Sequence, residues 1–280
     1  MKKRTSLITL IAAIGAALPA YAQAEEKIVL SFGIVPQQSA IKLARKWTPI
    51  FHYLGKKTGY SLRFKTAPNI PTFEKRVSDQ QYDIAYMNPY HYTTFAENPG
   101  YTAFAKQKDK KIKGIIVVHK DSTHQTLGDL SKQQLAFPAP AAFAASVLPR
   151  SKMGGDGVTF TPNYVSSHDS VYRTVAKGIF TAGGGIKRTF NNVDPAIRQQ
   201  LRILWTTPGY TPHAFAARPG LDPQVIHNLQ QAMVEMSDDP AANHLLKAIN
   251  FKGFTPANNG DWDDVRSLNI TQLLGELISR

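Results

Sequence analysis

The sequence predicts an α/β protein with two lobes, and three observations lead to that fold class. Short apolar runs typical of strands alternate with segments of helical periodicity along the whole chain. The alternation falls into two groups, and each group predicts a mostly parallel sheet with helices on both faces. At 280 residues and 42% hydrophobic content, the chain is long enough for two such cores and too apolar to be disordered.

The first group of elements runs from residue 27 to residue 119. Its predicted strands are Lys27–Val35, Ser61–Thr66, Tyr82–Met87, Tyr101–Lys106 and Gly114–His119. Its predicted helices are Gln38–Lys57, Pro71–Asp79 and one that opens at Asn88-Pro89. The longest helix is amphipathic, because Trp47, Ile50 and Leu54 fall on one face. Pro89 suits the first position of its helix, where a backbone N–H is not needed.

The second group and the C-terminal part continue the alternation. The predicted strands are Leu135–Phe137, Phe160–Val165, Ile179–Gly183, Arg202–Trp205 and His213–Ala217. The predicted helices are Ala141–Met153, Ser170–Lys177, Pro223–Met236, Ala241–Ala248 and Trp262–Ser279. We expect the chain to cross between lobes near Lys111–Lys113 and Trp205–Pro208. Residues 23–112 and 207–280 then form lobe 1, and residues 113–206 form lobe 2.

Residues 1–22 are predicted to be a cleaved secretory leader. Three cations, Lys2, Lys3 and Arg4, precede the apolar stretch Leu7–Leu18, which is shorter than the roughly 20 residues that span a bilayer. The small residues around Tyr21 predict cleavage after Ala22, with cleavage after Ala24 as the alternative. We therefore expect a soluble protein exported to the periplasm, with no lipid anchor because no cysteine is present.

Charge and cysteine content narrow the possible functions. The formal charge of +13 implies an anionic partner, and removing the three leader cations leaves 30 basic and 20 acidic residues, or +10. Export argues against nucleic acid as a partner and favours a small anion. The absence of cysteine excludes disulfides, thiolate metal sites and a cysteine nucleophile.

Four junctions between a strand and the next helix concentrate small or polar residues. In open α/β sheets, ligands bind beyond the carboxyl ends of strands, where helix N-termini offer free N–H groups to an anion. Any one junction is equally well explained as an ordinary helix cap or core segment, but four together predict a cleft. The predicted ligand-binding residues are Gln37, Gln38, Tyr86, Asn88, Tyr90, His91, Ala142, Phe143, Ala144, Ser167, His168 and, at the rim, Tyr210.

These residues have different predicted roles. We expect His168 to be the main polar anchor and Ala142, Phe143 and Ala144 to donate through their backbone N–H groups. The aromatic residues are expected to enclose the ligand.

Enzyme signatures are absent from the sequence. There is no G-x-S-x-G elbow and no H-E-x-x-H motif. Gly183-Gly184-Gly185 lacks the spacing of a phosphate-binding loop, so we interpret it as the close-packed end of a strand. No cofactor and no metal are predicted, which favours a binding protein over a periplasmic enzyme.

Several segments resemble one family of transport proteins. Tyr82–Tyr92 is similar to the most recognisable segment of the periplasmic substrate-binding proteins of phosphate, phosphite and phosphonate ABC transporters. Further similarity lies in Phe32–Pro36, Trp47–Ile50, Ile115–Ser122, Leu127–Leu130, Ser167–Ser170 and Val175–Gly178. The resemblance extends from about Ile28 to Arg218.

The resemblance implies a type II periplasmic binding protein fold with the ligand cleft between the lobes. It implies a monomer that captures a small anionic or zwitterionic ligand and passes it to an ABC permease in the inner membrane. Presentation of the ligand to a membrane sensor kinase remains open as an alternative.

The chain departs from the family's pattern at the ligand site. Ala142, Phe143 and Ala144 stand where phosphonate binders have a Ser-Thr-Ser cluster, and Ile70 stands where an aromatic residue is expected. The stretch around Ile186 lacks the acidic residues that contact an aminoalkyl group. These departures argue against an aminoalkylphosphonate ligand. They leave Lys187 or Arg188 as possible sources of compensating charge.

Overall fold

The computed structural model describes residues 27–268 and 270, which form two sheets flanked by helices. The strands are β1 Val29–Ile34, β2 Ser61–Lys65, β3 Ile84–Met87, β4 Thr102–Gln107, β5 Gly114–His119, β6 Gln134–Phe137, β7 Thr161–Tyr164, β8 Ala182–Ile186, β9 Leu201–Thr206, β10 Ala214–Ala217 and β11 Phe254–Pro256. The α-helices are α1 Ala40–Thr58, α2 Ile70–Ser78, α3 Pro89–Glu97, α4 Leu148–Gly155, α5 His168–Ala176, α6 Lys187–Asn191, α7 Pro195–Arg198, α8 Pro223–Glu235, α9 Asn243–Ala248 and α10 Asp263–Arg266.

Two of the predicted segments lie wholly or mostly outside the described residues. They are the leader at residues 1–22 and most of the helix predicted at Trp262–Ser279. Within the described part, no helix combines the length and the apolar character needed to cross a membrane.

The strands divide between two sheets, which confirms the predicted fold class of two sheets flanked by helices. The larger sheet has the order β11-β4-β10-β3-β1-β2 and takes its strands from both ends of the described chain. The smaller sheet has the order β7-β6-β8-β5-β9 and contains only strands between residues 114 and 206. We call the larger sheet with its helices lobe 1, and the smaller sheet with α4 to α7 lobe 2.

Both sheets are mixed, whereas the sequence pattern predicts mostly parallel ones. In lobe 1, β1 is parallel to β2 and β3, but β10 is antiparallel to both of its neighbours. In lobe 2, β6 is parallel to β7 and β8, but β5 is antiparallel to β8 and β9. Three described strands run opposite to those that begin the βα units. They are β5 and β10, which are the first strands after each crossing between lobes, and β11, which is antiparallel to β4 at the edge of lobe 1.

The two crossing segments lie side by side. Ile112 N–H donates to the Tyr210 carbonyl at 2.7 Å, and Tyr210 N–H donates to the Ile112 carbonyl at 3.0 Å. This short antiparallel bridge ties the connection β4–β5 to the connection β9–β10. The lobes are thus joined by two backbone segments that hydrogen-bond to each other.

Helix α1 holds the first junction against the core of lobe 1. Its N-cap Ser39 accepts from Lys42 N–H at 3.4 Å, and Gly59 ends it in the left-handed conformation with φ 79°. The buried side of the helix packs on β1, where Phe51 stacks on Phe32 at 4.5 Å between ring centroids. The segment before Ser39 is therefore fixed at the edge of the sheet.

The elements around the cleft differ from the predicted ones in three respects. β8 begins at Ala182, three residues later than the predicted strand Ile179–Gly183. The short elements α6, α7 and β11 escape prediction because runs of three to five residues show no clear periodicity. The helix predicted at Ala141–Met153 begins with a π-helical turn, Phe143–Val147, before α4. Pro149 has no N–H to donate to the Ala145 carbonyl, so the regular α-helical ladder is interrupted there.

Glycines allow this π-helical turn to lie directly on the sheet of lobe 2. A Cβ at Gly184 of β8 would lie 1.9 Å from the Ala145 carbonyl oxygen. A Cβ at Gly114 of β5 would lie 1.8 Å from the Ala144 carbonyl oxygen. On the other face of β8, a Cβ at Gly185 would lie 2.2 Å from the Tyr172 hydroxyl. The glycine triplet is thus close-packed as predicted, but it forms the interior of the strand rather than its end.

The contact at Gly184 can be tested by adding one methyl group. Gly184→Ala should lower the free energy of unfolding by about 1–3 kcal/mol, the usual range for overpacking, because the atom it meets is backbone. Gly154→Ala in α4 is the control, since nothing lies within 4 Å of its Cβ position. That substitution should be neutral or stabilise by up to about 1 kcal/mol. Urea unfolding measures both, and equal stabilities of the two variants would contradict the close approach.

Candidate ligand site between the lobes

A cavity of about 250 Å³, including its opening to solvent, lies where the two sheets face each other. Lobe 1 and its crossing segment contribute the lining residues Val35, Gln37, Ile70, Asn88, Ile112 and His213. Lobe 2 contributes Ala142, Phe143, Ala144, Ala145, His168 and Ile186. No carboxylate is among these lining residues. The wall therefore consists of apolar side chains, neutral polar side chains and backbone.

Three helix starts face this cavity. Asn88 caps α3, with its Oδ1 accepting from His91 N–H at 2.8 Å, and its Nδ2 donates across the cleft to the Ala141 carbonyl at 3.2 Å. Ser167 caps α5 by accepting from Ser170 N–H at 3.1 Å. In the π-helical turn, the first helical hydrogen bond runs from Ser146 N–H to the Ala142 carbonyl at 2.6 Å. Helix starts carry partial positive charge, which favours an anion. In the π-helical turn, the N–H groups of Phe143, Ala144 and Ala145 also precede the first hydrogen bond.

His168 lies on lobe 2 at the start of α5 and is 2% exposed. Its backbone N–H donates to the Gln37 carbonyl of lobe 1 at 3.2 Å. Its Nδ1 lies 3.2 Å from the Thr189 hydroxyl oxygen. Burial, and then the charge of Arg188, lower the pKa of His168 to about 3. The ring is therefore neutral at neutral pH.

His213 lies on lobe 1, directly before β10. Its ring stacks on Tyr86 at 5.0 Å between centroids, and its Nε2 lies 2.8 Å from Gln37 Nε2. Burial, and then the charge of Arg188, hold the pKa of His213 well below its usual value. Both histidines of the cavity are therefore uncharged donors or acceptors.

Arg188 supplies the positive charge beside the cavity. It lies on α6 of lobe 2, its guanidinium donates to Gln37 Oε1 of lobe 1, and it lies 6.0 Å from the centroid of the Tyr86 ring. Since a guanidinium can only donate, Gln37 must turn its Oε1 toward Arg188 and its Nε2 toward His213. His213 Nε2 must then accept, which places the ring proton on Nδ1. Lys187 is exposed, so of the two cations left open by the sequence, Arg188 is the one beside the cavity.

The structure brings half of the sequence-predicted residues to the cavity wall. They are Gln37, Asn88, Ala142, Phe143, Ala144 and His168. Tyr210 lies next to the wall, with its ring edge-on to Phe143 at 5.6 Å. Tyr86 lies one layer behind, under His213.

The other predicted residues are engaged elsewhere. Gln38 donates to Asp169 at 3.4 Å, and His91 lies 2.9 Å from Glu74 in a buried pair. Ser167 is occupied as the cap of α5. Tyr90 is buried in the core of lobe 1. None of these four side chains lines the cavity.

His213 is the polar lining residue that the sequence reasoning does not single out. The signal for it lies in topology rather than in a motif. β10 is antiparallel to β3, and Ala214 pairs with Met87, so β10 begins where β3 ends. The residue before β10 therefore reaches the same sheet edge as Asn88, although nothing in the sequence shows the direction of β10.

Comparison with known proteins identifies the family. A family model described as "ABC transporter, phosphonate, periplasmic substrate-binding protein" matches residues 32–262. The chain belongs to this family. The resemblance in the sequence is thus confirmed, and with it the role of a substrate-binding protein of an ABC transporter. Because the members of this family are periplasmic proteins, the match also agrees with the predicted periplasmic compartment.

Solved structures of similar fold include family members. A binding protein component of an ABC phosphonate transporter from Pseudomonas aeruginosa has a TM-score of 0.81 at 16% identity, covering 87% of this chain and 86% of that one. PhnD1 from Prochlorococcus marinus, in complex with methylphosphonate, has a TM-score of 0.79 at 19% identity, and the match covers 86% of this chain and 98% of that one. A Xanthomonas citri protein bound to chloride has a TM-score of 0.68 at 17% identity, and the match covers 90% of this chain and 99% of that one. These similarities confirm the type II periplasmic binding protein fold.

The two buried histidines predict that stability falls in mild acid. The unfolded chain binds protons at these rings near their ordinary pKa of about 6.5, but the folded protein does not. The contribution of the two neutral rings to the free energy of unfolding is therefore complete above pH 6.5. It declines as the pH falls toward the pKa of about 3 for His168. The decline is at most about 1.4 kcal/mol per pH unit for each ring. Urea unfolding between pH 7 and 5 measures it.

Single substitutions separate the histidines from other titrating groups. His168→Asn and His213→Asn should each reduce the slope of the free energy of unfolding against pH between pH 6.5 and 5. Unchanged slopes in both cavity variants would show that these rings are protonated in the folded protein.

Proposed function

We propose that this chain binds a small oxyanion of the phosphonate class in the cavity between its lobes and delivers it to an ABC permease. The observation that supports this most is the composition of the cavity wall: three helix starts, two neutral histidines and the adjacent Arg188 supply donors and positive charge, and no lining residue is a carboxylate. Membership of the phosphonate family supplies the transport role and the periplasmic compartment.

Backbone groups take the place of the hydroxyl cluster that the resemblance leads one to expect. The N–H groups of Phe143, Ala144 and Ala145 precede the first hydrogen bond of the π-helical turn, and all three residues line the cavity. Hydrogen bonds to a charged group contribute about 1.5–3 kcal/mol each. A cradle of this kind compensates for the missing serine and threonine side chains.

His168 is the proposed polar anchor on lobe 2. Its ring is neutral, so it carries one proton, and an anion at Nε2 selects the tautomer with the proton there. Nδ1 then accepts from the Thr189 hydroxyl at 3.2 Å, and the Tyr172 hydroxyl donates to Thr189 Oγ1 at 2.8 Å. This chain of hydrogen bonds fixes the ring toward the ligand without adding a charge.

The remaining wall suits a compact apolar substituent. Its apolar members are Val35, Ile70, Ile112, Phe143 and Ile186. An aminoalkyl group would bring an ammonium to a wall that has no carboxylate to pair with it and has Arg188 nearby. Phosphite and short alkylphosphonates, which carry no ammonium, suit this wall, and PhnD1 of P. marinus, bound to methylphosphonate, is similar in fold.

Ligand capture in this proposal is a hinge movement of two bodies. Residues 23–112 and 207–280 would move as one lobe and residues 113–206 as the other, about the paired crossing segments near Ile112 and Tyr210. The protein acts as a monomer, binds its ligand without turnover, and reaches the periplasm after cleavage of its leader following Ala22 or Ala24.

Direct titration of the mature protein tests the ligand class. Methylphosphonate or phosphite should bind more tightly than 2-aminoethylphosphonate, by calorimetry, and a ligand at 100 times its dissociation constant should stabilise the protein by about 2.7 kcal/mol. Phosphorus NMR should recover the ligand unchanged. Preferential binding of 2-aminoethylphosphonate would contradict the proposed apolar subsite, and the absence of binding by any phosphonate or phosphite would contradict the proposed function.

The role of Arg188 is tested by removing its charge. Arg188→Gln should weaken methylphosphonate binding by about 10- to 100-fold, the equivalent of one hydrogen bond to a charged group. Arg173→Gln removes a charge from the exposed part of α5 in the same lobe and serves as the matched control. Equal affinities of the two variants would exclude Arg188 from the anion site.

A further inference from the structure

Asp169 lies on lobe 2 beside the cavity but does not line it. Both of its carboxylate oxygens are contacted from lobe 1. Lys42 Nζ donates to Oδ2 at 3.1 Å, and Gln38 Nε2 donates to Oδ1 at 3.4 Å. The Asp169 side chain is only 12% exposed, compared with 38% for Lys42. We call these three residues, Gln38, Lys42 and Asp169, the clasp.

The clasp belongs to a set of contacts that connect the two lobes. Beside it, His168 N–H and the Arg188 guanidinium of lobe 2 both donate to Gln37 of lobe 1. Elsewhere, Asn250 Nδ2 of lobe 1 donates to Asn192 Oδ1 of lobe 2 at 2.7 Å. A rotation about the crossing segments that opens the cavity separates these pairs. The free energy of closure therefore includes the clasp, whatever occupies the cavity.

Besides its hydrogen bonds, the Asp169 carboxylate interacts with the charges of several cations around it. Lys42 and Lys46 project from α1 of lobe 1, and Arg188 approaches the same place from lobe 2. Burial, and then the charges of Arg188 and Lys42, lower the pKa of Lys46, whereas Asp169 raises it. Closure thus brings cations of the two lobes together, and the Asp169 carboxylate between them offsets their repulsion.

We propose that Asp169 is a positioning residue for ligand binding, which holds the two lobes closed over the cavity by pairing with Lys42 and Gln38. It touches no ligand. The apparent dissociation constant is the intrinsic one divided by the closed fraction, so loss of the clasp weakens binding while every ligand contact stays available. This inference rests on the proposed function for its ligand, but lobe closure itself can be measured in the protein alone.

The isosteric substitution Asp169→Asn removes the charge and is the test. With methylphosphonate as the probe, its dissociation constant should rise about three- to tenfold at low ionic strength, the range of a partly shielded ion pair. The dissociation rate should account for most of this change. Added salt should shrink the ratio of the Asp169→Asn and wild-type dissociation constants, because it screens the clasp in the wild type and the cation repulsion in the variant.

Two comparisons distinguish a closing role from a merely structural one. Asp79→Asn breaks an ion pair of similar length on the surface of lobe 1, where Lys75 Nζ lies 3.0 Å from Asp79 Oδ2, and should leave binding unchanged. Lys42→Met combined with Asp169→Asn should weaken binding by less than the product of the single effects. The proposal would be overturned if the dissociation constants of Asp169→Asn and the wild type differed by less than twofold at every salt concentration.

Lobe closure can be followed independently, because the chain contains no cysteine and accepts labels at chosen sites. Ala241→Cys on lobe 1 and Ser151→Cys on lobe 2 are both exposed, and spin labels there report the distance between lobes. Asp169→Asn should shift the distribution toward the open form, without ligand or at half-saturation.

Failure of methylphosphonate to bind would count against the proposed function, and the ligand-free distances would still test the clasp. The proposed role of Asp169 would be overturned if the wild-type protein were open under all conditions. It would also be overturned if the wild type and Asp169→Asn had identical distance distributions.

Discussion

The ligand site depends on how closely one helical turn approaches the sheet of lobe 2. The carbonyl oxygens of Ala144 and Ala145 occupy the space that side chains of Gly114 and Gly184 would fill. Because the turn lies against the sheet at these two points, its first residues reach the cavity together with the start of α5. Any larger residue at either glycine would push the N–H groups of the turn away from the cavity. The position of the turn is therefore specified by Gly114 and Gly184, neither of which contributes an atom to the cavity wall.

Gln37 sets the chemistry on the opposite side. One side-chain amide receives Arg188 at its oxygen and faces His213 with its nitrogen, while its backbone carbonyl receives the N–H of His168. This single residue orients one histidine, holds the cation and joins the two lobes. Burial keeps both rings neutral, and the charge that acts on them most strongly is that of the Arg188 guanidinium. Under the proposed function, the pH dependence of anion binding by such a site follows the protonation of the ligand.

The sequence predicts the architecture better than the details of the site. Period-two and helical patterns locate the long elements, and the βα alternation predicts two sheets, because these properties depend on local burial. The direction of β5 and β10 depends on where the chain crosses between lobes, which no local pattern shows, so the sheets are mixed rather than mostly parallel. The same cause hides His213, whose position follows from the direction of β10. Polar residues after strands mark Gln37, Asn88 and His168 correctly as neighbours of the cavity, but Gln38 and His91 have the same local character and face other partners.

Under the proposed function, the division of donors between the lobes explains how one site can both hold and release an anion. Gln37, Asn88 and His213 line the cavity from lobe 1, whereas the π-helical turn and His168 line it from lobe 2. Opening leaves an anion with the groups of one lobe only, and each hydrogen bond to a charged group that is lost corresponds to about 10- to 100-fold in affinity. A permease that separates the lobes therefore needs no chemistry of its own to free the ligand. Contacts that lie outside the cavity, such as the one between Lys42 and Asp169, adjust how much work that separation requires without altering which anion is selected.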